Sequence, residues 1–229
     1  MPDNLNSPER FGSPVGEPVP DAHDADLSDL VRKLPHADGR ATTVRYRVIG
    51  VSVLMAVILY LDRVCLGEIV KLEMFLADFS GDAMGAVMGR DELRAKIGDT
   101  LAAFFWTYAS FQIPAGWASD RFGARKMLTF YIVVWSLMTI VTGLAATLIG
   151  LLFARLALGL AQAGAYPTSG GIIRRWFRTE NRSIASGWVS MGGRIGGAVA
   201  PVLTVFAANQ IGSWRIVVGI YGVVGLVIA

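Results

Sequence analysis

Four charged residues stand where charge is costly. Asp62 and Arg63 follow an apolar run from Val48 to Leu61. Arg155 is the one charge between Met127 and Ile173, and Arg194 lies in a glycine-rich apolar segment between Gly192-Gly193 and Gly196-Gly197. Charges inside membrane-spanning segments are rare, face a cavity or a partner, and mark functional sites by default. Three of the four are arginines, so these segments carry surplus positive charge, and the chemistry this suggests is the holding of an anion. A guanidinium is always charged and matches a carboxylate bidentately. Asp62 either neutralises a neighbouring arginine or takes up a proton whose binding is coupled to that of the anion. Tyr60, Tyr108, Gln112, Gln162 and Tyr166 add neutral hydrogen-bonding groups in the same segments. Tyr108 and Gln112 lie one turn apart and share a helix face, where they would suit polyol hydroxyls. The plainer alternatives remain open: Arg63 snorkelling outward to headgroups, Arg155 satisfying backbone carbonyls, Asp62 in a static ion pair, and the neutral groups in ordinary helix contacts. Arg194 is open between a substrate contact and a structural or gating partner.

The elements that must position these residues are membrane helices. The chain has 229 residues, 53% hydrophobic and 17% charged, and a mean hydropathy of +0.49. Soluble domains are less apolar and more charged than this. A span needs roughly 20 mostly apolar residues, and the sequence predicts six, at about 45–66, 100–119, 127–146, 148–171, 183–208 and 214–229, with a turn at Ala145–Thr147 between the third and fourth. Residues 1–43 are read as a disordered cytoplasmic tail, rich in Pro and Asp and too polar to build a core. Between the first two spans lies a mixed-charge segment, 67–99, with a short surface helix expected at Asp91–Lys96.

The net charge of +3 reports orientation and not a nucleic-acid partner, because Arg and Lys collect between the apolar runs. Arg40, Arg45 and Arg47, then Arg121, Arg125 and Lys126, then Arg174, Arg175, Arg178 and Arg182 all fall on one side, whereas the 145–147 turn has none. The positive-inside rule places that side, with the N-terminus, in the cytoplasm. On the resulting path Arg63 lies roughly 27 Å along the first span and Arg155 roughly 10 Å below the opposite start of the fourth. Both fall in the outer half of the membrane at comparable heights, where they could face one cavity. Pro114, Pro167 and Pro201 can bend or locally open their helices.

Other chemistries find no support. No histidine lies in any span, and neither Gly-x-Ser-x-Gly nor His-Glu-x-x-His is present, so no catalytic residue, metal ligand or cofactor is expected and the chain is not read as an enzyme. The single Cys65 excludes an internal disulfide. A non-transporting membrane protein or an inert fragment, and a facilitator of neutral solutes, are the alternatives.

The run Gly116-Trp-Ala-Ser-Asp120-Arg121-Phe-Gly123-Ala-Arg125-Lys126 resembles the signature between helices 2 and 3 of the major facilitator superfamily. Tyr60-Leu61-Asp62-Arg63, the run from Phe104 to Tyr108 leading to Gln112-Ile113-Pro114, Arg155-x-x-x-Gly159, Tyr166-Pro167 and Trp176-Phe177 resemble its anion:cation symporter branch. That branch includes sugar-acid carriers and vesicular glutamate and sialic-acid transporters. The resemblance covers about 44–229. It implies an all-α integral membrane fold: the N-terminal six-helix bundle of a twelve-helix carrier, ending within the sixth helix, with a C-terminal six-helix half missing and the site between the halves. The expectation is therefore a fragment or a broken gene product of a carrier in the plasma (inner) membrane. Arg63 and Arg155 would bind the carboxylate of a small organic anion, and Asp62 would take part in proton coupling, with the coupling ion, H+ or Na+, left open. Asp120, with Gly116, Arg121, Gly123, Arg125 and Lys126, would form a conformational latch to the other half. Gln162 departs from the pattern, since the symporters usually carry an acidic residue there. Gln cannot titrate, which opens uniport, exchange or another coupling ion. Arg194 is also outside the pattern.

Overall fold

The computed structural model describes residues 43–80 and 89–229. The expected N-terminal tail therefore lies outside the described residues. What is described is all-helical: α1 (Thr43–Ile69), α2 (Glu73–Phe79), α3 (Arg90–Phe122), α4 (Ala124–Leu144), α5 (Leu148–Ala163), α6 (Ala165–Trp176), α7 (Thr179–Ile211) and α8 (Trp214–Ile228). Helices satisfy their own backbone hydrogen bonds, which is what an apolar solvent demands. Among the described residues four stretches are long and apolar enough to cross a membrane: Val44–Ile69, Ala124–Leu144, Leu148–Trp176 and Thr179–Ile211; Trp214–Ile228 is apolar but shorter. Large apolar side chains stand exposed around the bundle, including Ile113, Trp117, Phe153, Val202 and Phe206. A soluble protein does not tolerate so broad an apolar surface; lipid does. The chain is a multi-pass membrane protein.

The expected surface helix at Asp91–Lys96 is instead the first turns of α3. Leu93, Ile97, Thr100 and Phe104 are all buried, so one inward stripe at helical spacing runs from there into the apolar part of the helix. The short helix of this region is α2, which buries Phe75, Leu76 and Phe79.

Small residues set how closely the helices approach. On α7, a methyl added at Gly192 would lie 2.8 Å from the Val53 carbonyl oxygen, and one at Gly193 would lie 2.8 Å from the Tyr60 ring and the Tyr166 hydroxyl. On α5, Gly159 lets the backbone pass against Phe104 and Thr107 of α3. The α3–α4 turn needs Gly123, whose φ of +95° is strained for any residue with a Cβ; its N–H donates to the Ser119 carbonyl at 3.0 Å.

At the α2 end of the bundle one cluster ties α2, α8 and the end of α4 together. Phe75 and Phe79 pack on Trp214, with ring centroids 4.8 and 6.1 Å away. Asp78 accepts from Trp214 Nε1 at 2.9 Å and from Arg215 Nε at 3.1 Å. Arg215 Nη1 also donates to the carbonyls of Gly143 at 3.1 Å and Ala145 at 2.6 Å. Those carbonyls end α4 and have no partner within the helix, so the arginine of α8 supplies what the chain cannot.

Candidate functional site

Successive residues on a helix point about 100° apart, and this divides the Asp62–Arg63 pair. Arg63 reaches toward α3 and α5. Its guanidinium lies 4.3 Å from the ring centre of Tyr108, 5.1 Å from Phe104 and 5.3 Å from Tyr60. Its Nη2 donates to Gln162 Oε1 at 3.5 Å. Aromatic faces attract a guanidinium through their quadrupole, but they are neutral and leave its charge in place. The Arg63 Nε is buried with no hydrogen-bond partner, and so is the Gln162 Nε2. Gln162 itself is 0% exposed.

Asp62 turns the other way and is also buried. Its Oδ2 accepts from Thr139 Oγ1 of α4 at 3.4 Å, while Oδ1 has no partner. Arg155 of α5 is the cation whose field acts on it. Arg155 is 3% exposed and its Nε has no partner. Among the described residues, neither Asp62–Arg155 nor Asp62–Arg63 closes to an ion pair within 4.0 Å, and Arg155 makes no side-chain hydrogen bond. Cys65 donates to the backbone carbonyl of Asp62 at 3.1 Å.

The local fold explains this placement. Arg155 and Gln162 are seven residues apart, two turns on one face of α5 and roughly 10 Å along it. The helix then breaks at Gly164, whose small size makes room for the Tyr131 ring. Pro167 sits in the first turn of α6, where its missing N–H costs little. Tyr166 meets Tyr60 edge-on with centroids 6.4 Å apart, and Gly193 of α7 leaves space for both rings.

The structure thus gathers Tyr60, Arg63, Tyr108 and Gln162 around one guanidinium and sets Arg155 beside Asp62. Gln112 is half-buried one turn beyond Tyr108, with no side-chain hydrogen bond among the described residues. Arg194 stands apart: it is exposed between exposed Met191 and Ile195 and makes no ion pair among the described residues. At the opposite end from α2, Gly116 and Asp120 line an open cleft of ≈ 440 Å³ with Pro167, Gly170, Arg174 and Ser186. Asp120, Arg121, Arg125 and Lys126 are exposed there, and Arg121 lies 5.7 Å from the Trp117 ring centre.

Sequence reasoning missed Thr139. A hydroxyl in an apolar helix reads as filler, and Thr139 does bond the Trp135 carbonyl one turn back, at 3.0 Å. Its spacing relative to Trp135 marks a buried face of α4, but nothing in the sequence says that this face meets Asp62.

The family profile described as Major Facilitator Superfamily matches residues 51–229. The chain is 31% identical over 187 residues to a probable sulfoacetate transporter, SauU, of Cupriavidus necator, covering 80% of this chain and 39% of that protein. It is 29% identical over 197 residues to a probable galactarate/D-glucarate transporter, GudP, of Bacillus subtilis, covering 83% and 40%. The chain therefore spans about two fifths of the length of these curated relatives. Among solved structures, a bacterial homolog of the human lysosomal transporter Spinster, inward-facing and unoccupied, superposes with a TM-score of 0.68 at 24% identity, over 80% of this chain and 41% of that one; this likeness speaks for the fold alone. With the helical bundle, the Gly116–Lys126 turn and the profile match over most of its length, the chain belongs to the Major Facilitator Superfamily.

Proposed function

We propose that the chain is the N-terminal six-helix half of a secondary carrier for small organic anions, working by alternating access in the plasma (inner) membrane. In this reading α1, α3, α4, α5 with α6, α7 and α8 cross the bilayer. The N-terminus and the basic α3–α4 and α6–α7 connections face the cytoplasm. The partners are the anion, the bilayer and a second six-helix half across the exposed apolar faces of α3 and α7. The observation that carries the reading is Arg63, a half-buried guanidinium held among three rings and a neutral amide, with no carboxylate against it among the described residues. A charge so placed in apolar surroundings needs a counter-ion, and a ligand carboxylate supplies one. Arg155, buried and without a hydrogen bond, is the second grip. Tyr60, Tyr108, Gln112 and Gln162 offer hydrogen bonds to hydroxyls of the same ligand. Similarity to proteins named as sulfoacetate and sugar-acid transporters supports the anion class.

Asp62 is the acid that can respond to ligand arrival, with Oδ1 free and Arg155 beside it. An anion that draws Arg155 away would favour its protonation. H+ is thus the coupling ion this reading favours over Na+. The Asp120 loop latches the two halves in one state of the cycle. Arg194, on the exposed side of α7, reaches the ligand or the other half only when the two bundles close. Uptake of labelled D-galactonate, D-glucarate and sulfoacetate by the intact protein in liposomes tests the assignment. Uptake of at least one acid, abolished by Arg63→Ala and by Arg155→Ala, is expected; uptake unchanged in both variants would overturn it.

A further inference from the structure

The central charges do not balance within the protein. Arg63 and Arg155 bring two positive charges and Asp62 one negative, and Gln162, where a carboxylate would complete the pairing, is neutral. The acceptor nearest to Arg63 is that amide oxygen at 3.5 Å, a long contact. Asp62 does not serve Arg63: among the described residues the two close no ion pair within 4.0 Å, and the Asp62 carboxylate accepts from Thr139 of α4. Three donor nitrogens of these central residues remain buried and unpartnered: Arg63 Nε, Arg155 Nε and Gln162 Nε2.

A carrier that alternates access must close around its centre on both the loaded and the return passage. Closure removes water, and an uncompensated charge becomes costlier as water leaves. With Asp62 ionised one monoanion brings the Asp62–Arg63–Arg155 set to neutrality, and with Asp62 protonated a dianion does so; either accepts from the idle donors. With the centre empty, nothing among the described residues does so. We propose that the protein is an anion exchanger: the empty centre reorients slowly, and a second small organic acid bound on the return passage carries it back. Gln162 is the residue that sets this mode, because an acid there would give Arg63 an internal counter-ion. The inference rests on the carrier reading above and adds the mode of exchange to it.

The test compares uptake of the transported acid into liposomes holding the intact protein, either empty or preloaded with the same unlabelled acid. Potassium and valinomycin on both sides clamp the membrane potential. Preloading is expected to speed initial uptake on the order of tenfold or more, since each 1.4 kcal/mol of barrier is worth a factor of ten. Equal rates with and without preloading would overturn exchange and leave the carrier reading intact. No uptake under either condition would overturn the carrier reading and exchange with it. Gln162→Glu, close to isosteric, is expected to raise uptake into empty liposomes and shrink the preloading effect. If it transports and the preloading effect keeps its size, the charge-balance account is overturned.

Discussion

Two charged clusters in this molecule are built from similar parts and end differently. At the α2 end, Asp78, Trp214 and Arg215 are fully engaged: the carboxylate takes two donors, and the guanidinium closes an ion pair, lies 4.6 Å from the Trp214 ring centre and bonds two helix-end carbonyls. At the centre, Asp62, Arg63, Arg155 and Gln162 each keep a buried polar atom with no partner. Folding alone favours the first arrangement, since buried polar groups left unpaired are destabilising. The contrast teaches that completeness separates a staple from a site. A cluster that is finished holds the fold, and one that is short of acceptors awaits a ligand.

The largest expected effects break the contrast from the central side. Arg63→Ala and Arg155→Ala should each weaken anion binding by about 2–5 kcal/mol, the range for truncating one partner of a buried charged hydrogen bond. The melting temperature of Arg63→Ala should hold or rise, because it removes an uncompensated charge, whereas that of Arg155→Ala should fall, because it leaves the Asp62 carboxylate buried without the cation beside it. Scintillation proximity binding and thermal melting in detergent measure the two sides. Arg63→Lys should recover little, as an ammonium lacks the planar fork that stacks on rings.

Next comes the end cluster, with the opposite signature. Arg215→Ala strands the Gly143 and Ala145 carbonyls, so a stability loss of about 1–3 kcal/mol is expected, read as a lower melting temperature with anion affinity unchanged. Asp78→Asn should cost less, about 0–1 kcal/mol, because that ion pair is partly exposed. A loss of affinity in Arg215→Ala as large as that in Arg63→Ala would erase the distinction.

Gly193→Ala probes the scaffold between the two. Its methyl meets the Tyr60 ring and the Tyr166 hydroxyl at 2.8 Å, so the rings around Arg63 must shift. A destabilisation of about 1–3 kcal/mol by overpacking is expected, together with weaker anion binding, measured by the same two assays. Arg194→Ala marks the smallest end of the scale: exposed and without an ion pair among the described residues, it should change the unfolding free energy by no more than about 0.5 kcal/mol, read from the same melting curves.

Much of this was legible in the chain. The apolar runs announce membrane helices because the bilayer allows few alternatives, and the Gly116–Lys126 motif announces the superfamily because a turn that tight between two helices needs its glycine at positive φ. Arg63 and Arg155 could be singled out because charge in an apolar run is rare. What was not legible is rotation. Asp62 and Arg63 are neighbours in sequence, and only the packing of α4 and α5 against α1 shows that one meets Thr139 and Arg155 while the other meets three rings and Gln162. The engagement of Asp78 by Trp214 and Arg215 spans 136 or more positions, and no local pattern encodes it. The first turns of α3 misled because Asp91–Lys96 reads as polar surface, while Leu93 and Ile97 bind it to the core.

The central claim is that the incomplete cluster grips an anion and the complete one does not. The most direct measurement is binding of labelled acid to the intact protein and to Arg63→Ala, Arg155→Ala and Arg215→Ala, each paired with its melting temperature. The account predicts lost binding in the first two, with stability preserved in Arg63→Ala, and preserved binding with reduced stability in the third. Binding retained in both Arg63→Ala and Arg155→Ala would contradict it.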